Sequence, residues 1–569
     1  MAVETKTRPV ESDGSVMHVS QGAPTSKPAW VTGVPSSGSK YAARGMVASA
    51  SPAAATVGLH VLMNGGNAFD AAIAAAAVEN LTLPGSCGLG GDMFAVLYDA
   101  KSKRVYGING SGIAPRAASR DYYVSRGHTT MPLTGIHAVS VPGAPHAYWT
   151  LHKRFGSRPL GQLLAPAIQY AEAGIPVSPR LARSIGGAAR KLQPVAHTPE
   201  LLPEGTAPQP GSRLRRPGYA RSLRTLAEEG AAPFYQGPIA DAIVRTSQEL
   251  GGLFTREDFA DHDTDVYEPI RATYRGVEVH ATRPPSQGLI VLEWLNLLEG
   301  FDVAGSGFGT PETLHVLAET KKLAFADRLR YAGDPRFVDV PLDHLLSKSF
   351  AGRRRREVDS NRAATIVRGA VPESLYGDTS YFCVADGDGN AISFIHSLSA
   401  GYGSGVIAGD TGIVLNNRAG RGFTLEEGHP NVIEGGKKTM HTLNAYLLTK
   451  NGELYGVGGT PGGDQQPQWN VQTISCVVDH GMDPQTAIEV PRWYSYPGTD
   501  PEHVEKPSEL RLESRFPEET FAGLRERGHQ VVELGPWGAP AAVQVILRQP
   551  NGLLVGGSDP RIGGVALGF

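Results

Sequence analysis

Thr379 stands directly after Asp378 at the head of a strand-like run in YGDTSYFCVADGDGNAISFIHSLSAGYGSG, residues 376–405, deep inside a 569-residue chain. A threonine hydroxyl is a weak nucleophile unless a base sits beside it, and the free α-amine of an N-terminal threonine is such a base. Opening the bond before Thr379 would give that residue both groups. An α-amine has an ordinary pKa of about 7.7–8.0, so a useful fraction is unprotonated near neutral pH, as a general base requires. Ser397 follows on the returning arm of the same stretch, and GGTPGGD comes later at 458–464. Gly462 and Gly463 carry backbone N–H groups that no side chain obstructs. Two such donors can form an oxyanion hole, in which one donor is typically worth about 2.7–4 kcal/mol. Read singly, each piece has a plain alternative: threonine after aspartate is ordinarily a β-branched strand residue. Read together, they point to acyl transfer through a threonine hydroxyl.

These residues need elements to hold them. SYFCVAD and AISFIHSLS are β-rich runs joined by DGDGN, a hairpin signal. Asn67 caps an Ala-rich helix over 65–80, which runs into the Gly-rich turn PGSCGLGGDMF at 84–94 and the strand AVLYDA. Helical patterns cover 160–174, 239–251 and 311–333, then QWNVQTISCVVDHG and PQTAIEV. TGIVLNN, AYLLTK and ELYGVGG read as further strands, and AVQVILRQPNGLLVGGSDPR as a C-terminal hairpin. Residues 1–40 read as a flexible polar arm, 200–222 as a Pro/Arg-rich loop and 346–378 as a surface segment. Arg353 to Arg356 read as a solvated face. Strands placed densely between helices predict a layered α/β protein.

Composition narrows the function. The net charge is −3, with no basic surplus for nucleic acid or anionic lipid. Cys87, Cys383 and Cys476 lie far apart, without the paired spacing of a zinc site or a disulfide framework. No apolar h-region opens the chain and no 18-residue apolar run suggests a membrane helix, so a cytoplasmic enzyme is expected. G-x-x-x-x-G-K-[ST], H-E-x-x-H, G-x-S-x-G and EF-hand patterns are missing. The glycines at 84–91 and 401–405 do not match a dinucleotide fingerprint; tight turns and close backbone approach account for them.

In order along the chain stand GGNAFDAAIAAA, SCGLGGDMF, AVSVPGAPHAYW, FYQGPIADAIV, GGLFTREDFADH, YRGVEVHATRPPSQG, FADRLRYAGDPRFV, GDTSYFCVADGDGNAIS, DTGIVLNN and GTPGGDQQPQ. Over residues 43–569 they resemble the γ-glutamyltransferases, members of the N-terminal nucleophile hydrolases. The resemblance implies a four-layer αββα sandwich made as a proenzyme that cleaves itself between Asp378 and Thr379. The large chain (41–378 after the arm) and the small chain (379–569) would stay together as a heterodimer, with a dimer of heterodimers an open option. It implies that Thr379 is the nucleophile, that Ser397 replaces the second threonine orienting it, and that Gly462 and Gly463 form the oxyanion hole. No metal and no organic cofactor is expected, because the nucleophile, the base and the oxyanion donors all come from the chain.

Substrate recognition departs from the glutathione-type pattern. Ser111 stands where those members place an arginine for the glutamyl α-carboxylate. Ser399, Arg418 and Arg421 match the positions that hold the α-amine, and Lys438 and Thr439 match the paired serines. An arginine has five donors and no acceptor. It would repel an ammonium and grip a carboxylate, with a net hydrogen-bond worth of about 1.5–3 kcal/mol. The expected substrate is therefore a small molecule whose acyl group bears a carboxylate or keto-acid: an oxamate-like amide, or an oxalyl-type group cleaved at a C–C bond, as in the branch of oxamate amidohydrolase-like and natural-product-pathway members. The plain alternative pairs Arg418 with Asp464 or another carboxylate. Asp464 is expected as pocket wall or as that partner, and His396 and His441 as core or wall residues. Two other functions stay open: γ-glutamyl hydrolysis or transfer, and an unprocessed binding or scaffold protein.

Overall fold

The computed structural model describes residues 38–192, 200–364, 379–496 and 509–569. The expected arm at 1–40, except its last three residues, and the Asp378 side of the expected scission fall outside the described residues.

Thr379–Asp386 and Ala391–Ser397 form the expected hairpin, antiparallel and in register from Thr379↔Ser397 to Ala385↔Ala391. Alternation along a strand sends successive side chains to opposite faces, and here both faces are covered. Tyr381, Cys383, Ala385 and Ile395 join one core with Met46, Phe94, Leu447, Val457 and Ile546. Phe382, Val384, Ile392 and Phe394 join another with the alanines of helix Ala68–Thr82. The hairpin is thus central to a seven-stranded sheet that also holds Val565–Gly568, Gly45–Ser49, Asp92–Asp99, Arg104–Gly110 and Asp265–Tyr267.

A second seven-stranded sheet contains Val277–Ala281, Tyr446–Lys450, Glu453–Gly459, Gln544–Arg548 and Leu554–Ser558. Leu447, Val457 and Ile546 face the first sheet, while Tyr446 and Leu448 face helices Gly288–Leu298, Pro311–Tyr331 and Gln465–Val478. The layers therefore run helix, sheet, sheet, helix, a sandwich of mixed helix and antiparallel sheet. A small third sheet, Trp493–Tyr496 with Glu509–Glu513 and Gln530–Leu534, carries the chain's one parallel strand pair among the described sheet pairs.

Helix Ala68–Thr82 is buried from Ala68 to Leu81. Asn67 accepts from the N–H groups of Phe69 and Asp70, and Asp70 reaches back to the Asn67 N–H, a reciprocal capping box. Alanine lets this helix lie close against the sheet at little side-chain entropy cost.

Two expectations are corrected. Helix Pro217–Glu229 begins inside the 200–222 segment read as loop, since proline suits a first helical turn. TGIVLNN forms no strand, only an isolated bridge between Ile407 and Val414. Its backbone groups pair with scattered loop positions, the Leu415 N–H with the Val406 carbonyl and the Asn416 N–H with the Gly90 carbonyl among them. The Asn416 side chain ties neighbouring loops: its Oδ1 accepts from the Ser140 and Arg418 N–H groups, and its Nδ2 donates to the Gly90 and Ser140 carbonyls. Among the described residues no helix is long and apolar enough to cross a membrane.

Candidate active site

Thr379, Ser397 and Asp92 are partners across three adjacent strands of the first sheet, since Ser397 pairs with both others. Alternation puts all three side chains on the face toward the second sheet. Strands lie about 4.8 Å apart, so the three form a short row. Thr379 Oγ1 and Ser397 Oγ are 2.9 Å apart. The Ser399 N–H donates to Ser397 Oγ at 2.8 Å, which requires a turn immediately after the strand. Ser399 makes that turn at φ 84°, a left-handed conformation that serine rarely adopts. The Arg421 guanidinium donates to the Ser399 carbonyl at 2.7 Å. The glycines before Asp92 also have a steric cause: a Cβ on Gly91 would come 2.3 Å from the Ser397 carbonyl oxygen.

Asp92 is fully buried and bound by Arg418, whose Nε donates to Oδ2 at 3.2 Å. Arg418 opens the short helix Arg418–Gly422. Burial pushes the Asp92 carboxyl up to about 6, against the opposing pull of Arg418, the Gly112 N–H and Lys438. Its Oδ1 has no hydrogen-bond partner among the described residues. His441 lies 4.0 Å from Asp92 Oδ2, fully buried, with neither ring nitrogen hydrogen-bonded among the described residues. Burial, reinforced by the Arg418 and Lys438 charges, holds its pKa well below the usual histidine range, so it is neutral.

The other expected residues have partners of their own. Ser111 gives both its N–H and its hydroxyl to Asn109 Oδ1, at 2.9 and 2.6 Å. Lys438 Nζ reaches Asp265 at 3.4 Å, and its charge still acts on Asp92. Thr439 packs over Gly422. The residues that come to the Asp92–Arg418 pair are instead His441 and Thr442, the latter 3.4 Å from Arg418 Nη1. Asp92 is thus the other carboxylate that the plain alternative offered Arg418, while Asp464 pairs with Arg328 at 2.7 Å.

The second sheet supplies the glycine turn. Strand Glu453–Gly459 crosses the nucleophile hairpin, with the Ser393 hydroxyl donating to the Gly458 carbonyl and Tyr381 filling the space a Gly459 Cβ would need. The chain then turns through Gly462 at φ 131° and Gly463 at φ 56° into helix Gln465–Val478. A Cβ on Gly462 would meet the Trp469 ring at 2.6 Å. Gln287 donates to the Gly463 and Thr442 carbonyls and accepts from Arg328, which also holds Asp464. One clamp therefore fixes both the glycine turn and the segment beside Arg418. Lys321 sits behind it, its ammonium pushed down to about 7 by burial, with Asp464 opposing the shift.

Residues 54–569 match the Gamma-glutamyltranspeptidase family. The chain belongs to that family. It is 38% identical over 530 residues to the glutathione hydrolase-like YwrD proenzyme of Bacillus subtilis, covering 92% of this chain and 98% of that one. It is 33% identical over 542 residues to the oxamate amidohydrolase proenzyme of Klebsiella pneumoniae, covering 93% and 99%. Among solved structures it is similar to cephalosporin acylase from Bacillus halodurans, with a TM-score of 0.87 and 37% identity over 96% of this chain and 99% of that one. Membership makes this chain a hydrolase or acyltransferase with the family's sandwich, and both curated relatives are named as proenzymes.

Two sets of metal-type donors occur among the described residues of this family member: Glu79, Cys87 and His396, and His315, Glu319 and His529. Hydrogen bonds already account for both. Glu79 accepts from the hydroxyls of Ser49 and Ser380 and from His396, whose other nitrogen meets the Tyr148 hydroxyl. His396 is thus the satisfied core residue expected, directly behind the nucleophile strand. His315 bonds His529 at 2.8 Å and the Asp359 carbonyl at 2.7 Å. Sequence reasoning gave no role to Asp92, Thr442, Gln287 or Arg328. All four lie within the quoted or neighbouring segments, and an aspartate closing SCGLGGD at a strand start is the signal that was available.

Proposed function

We propose that the chain cuts itself between Asp378 and Thr379 and that Thr379 then works as an acyl-transfer nucleophile. The observation that carries this reading is the 2.9 Å contact between Thr379 Oγ1 and Ser397 Oγ, at the strand end that the scission would free. The α-amine of Thr379 takes the hydroxyl proton as the oxygen attacks the substrate carbonyl. The Gly462 and Gly463 N–H groups stabilise the oxyanion, and the same proton passes to the leaving group. Water then attacks the acyl-enzyme, releases a carboxylic acid and restores the threonine; an acceptor amine in place of water gives transfer. The 378-residue and C-terminal chains remain one heterodimer.

The substrate on this reading carries a carboxylate or keto-acid on its acyl group, as an oxamate-like amide or an oxalyl-type group does. Arg418 is the residue that would recognise it. Asp92 takes its Nε edge and Asn416 holds its backbone N–H, which orients the guanidinium beside the Thr379–Ser397 row. Resemblance to the oxamate amidohydrolase supports the same class. A second reading has its own observation: the Asp92 Oδ1 is a buried acceptor that a γ-glutamyl α-ammonium could use. The two readings separate on a panel of oxamate, a glutaryl anilide and a γ-glutamyl anilide, run on the processed enzyme. Turnover of oxamate or the glutaryl compound, with KM raised at least tenfold by Arg418→Met, supports the first. Robust turnover of the γ-glutamyl anilide alone overturns it.

A further inference from the structure

We propose that Arg421 is a positioning residue for the nucleophile, acting through Ser399 and Ser397, and that it does not hold the substrate. The inference rests on the reading of Thr379 as the nucleophile. Three hydrogen bonds connect the two residues: Arg421 Nη1 to the Ser399 carbonyl at 2.7 Å, the Ser399 N–H to Ser397 Oγ at 2.8 Å, and Ser397 Oγ to Thr379 Oγ1 at 2.9 Å.

Ser399 is the joint of this chain. Its φ of 84° is one that an L side chain rarely adopts, so the surroundings must impose it. Two contacts do so from the segment after Asn416. The Ala400 N–H donates to Asn417 Oδ1 at 2.9 Å, and the Arg421 guanidinium draws on the Ser399 carbonyl from the other side of the same peptide. A charged donor gives the stronger, shorter kind of hydrogen bond, and Arg421 is nearly buried, where such a bond is least diluted by water. The Ser399 N–H that faces Ser397 lies in the preceding peptide, whose Leu398 carbonyl accepts from the Asn417 N–H at 3.1 Å; Arg421 acts on it by holding the Ser399 backbone dihedrals that join the two peptides.

The consequence falls on the hydroxyl pair. The Ser399 N–H takes one lone pair of Ser397 Oγ and so orients that hydroxyl toward Thr379 Oγ1, 2.9 Å away. Ser397 can then accept from the resting Thr379 hydroxyl, and can donate to Thr379 Oγ1 when that oxygen leaves the acyl group. Donation into Ser397 Oγ makes its own proton a better donor. Without Arg421 the turn relaxes, the Ser399 N–H swings away and Ser397 loses its fixed orientation. The binding groups around Asp92 and Arg418 are not part of this chain of contacts.

The test compares Arg421→Ala, Arg421→Lys and Arg421→Ala with added guanidinium ion, reading self-scission rate, kcat and KM on whichever substrate the wild-type enzyme turns over. A misplacement of about 1 Å at a catalytic group can cost ~100-fold in rate, so Arg421→Ala should lose ~10–100-fold in kcat and in scission rate, with KM within about twofold. Added guanidinium should restore part of kcat, and Arg421→Lys should fall between. If Arg421→Ala folds poorly, Arg421→Lys alone carries the same kcat-against-KM comparison. A raised KM with kcat kept would make Arg421 a substrate residue, and unchanged values of both would remove its role; either result overturns the proposal. Thr379→Ala, run alongside, separates the two levels: scission and turnover that survive it defeat the nucleophile reading itself, whatever Arg421 does.

Discussion

Replacing Asp92 with asparagine tests the electrostatics of the site quantitatively. Asp92 is fully buried, and its carboxyl is pushed up from 3.8 to about 6 because burial outweighs the help of Arg418, the Gly112 N–H and Lys438. An acid that holds its proton more tightly in the folded state stabilises the fold while protonated. That contribution is complete below pH 3.8 and is lost as the pH rises through about 6. A shift of about two pKa units corresponds to about 3 kcal/mol lost by neutral pH. Asparagine cannot ionise, yet keeps an oxygen for Arg418 Nε. Whatever fixed cost Asp92→Asn carries, its stability relative to wild type should therefore improve by about 2.4 kcal/mol between pH 4 and pH 7.5. Denaturant melts of both proteins across that range give the difference directly, and other titrating groups cancel in it. A difference that stays flat, or that falls as the pH rises, would refute the reasoning and show that the Arg418 pair fully offsets the desolvation of Asp92.

Gly462→Ala should cut kcat and self-scission by ~100-fold or more, the usual effect of losing an oxyanion donor, because the new methyl meets Trp469 and the φ of 131° excludes it; single-turnover rates and a time course of chain scission check this. Lys321→Met should stabilise the protein most below pH 7 and not at all above about pH 10.5, because burial lowers the folded ammonium pKa to about 7 while the unfolded chain keeps 10.5. Thermal melts at pH 6.5 and 10 read the sign: a gain that grows with pH contradicts it.

The nucleophile hairpin was legible because its information is local. DGDGN sets the turn, and alternation along SYFCVAD and AISFIHSLS fixes which side chains share the face with Thr379. The Ala-rich helix was legible for the same reason, from Asn67 and an unbroken run of small residues. The pairings that give the site its charge are not local. Asp92 and Arg418 meet across 326 positions, and Asp464, the one partner named for Arg418 in the plain alternative, pairs with Arg328 of another helix. Lys438 and Thr439 matched the paired serines of the family pattern, while His441 and Thr442, a few residues on, are the ones that come to Asp92 and Arg418. That segment is irregular, with no periodicity to fix its register against the strands. TGIVLNN looked like a strand because it carries a continuous apolar run, Ile413 to Leu415, with two β-branched residues. Its backbone hydrogen bonds are spread instead over Val406, Ser404, Ala408, Gly90 and Leu398 in separate loops, a choice that only those surroundings dictate.

The central claim is that the backbone opens before Thr379 and that the freed residue carries the acyl group. Intact-mass measurement of the active protein, before and after a brief reaction with a slowly released substrate, tests both halves together. The account predicts two chains, the smaller beginning at Thr379, and a transient mass increase equal to the acyl group on the smaller chain alone. An active protein that remains one undivided chain, or an acyl group carried elsewhere, would contradict it.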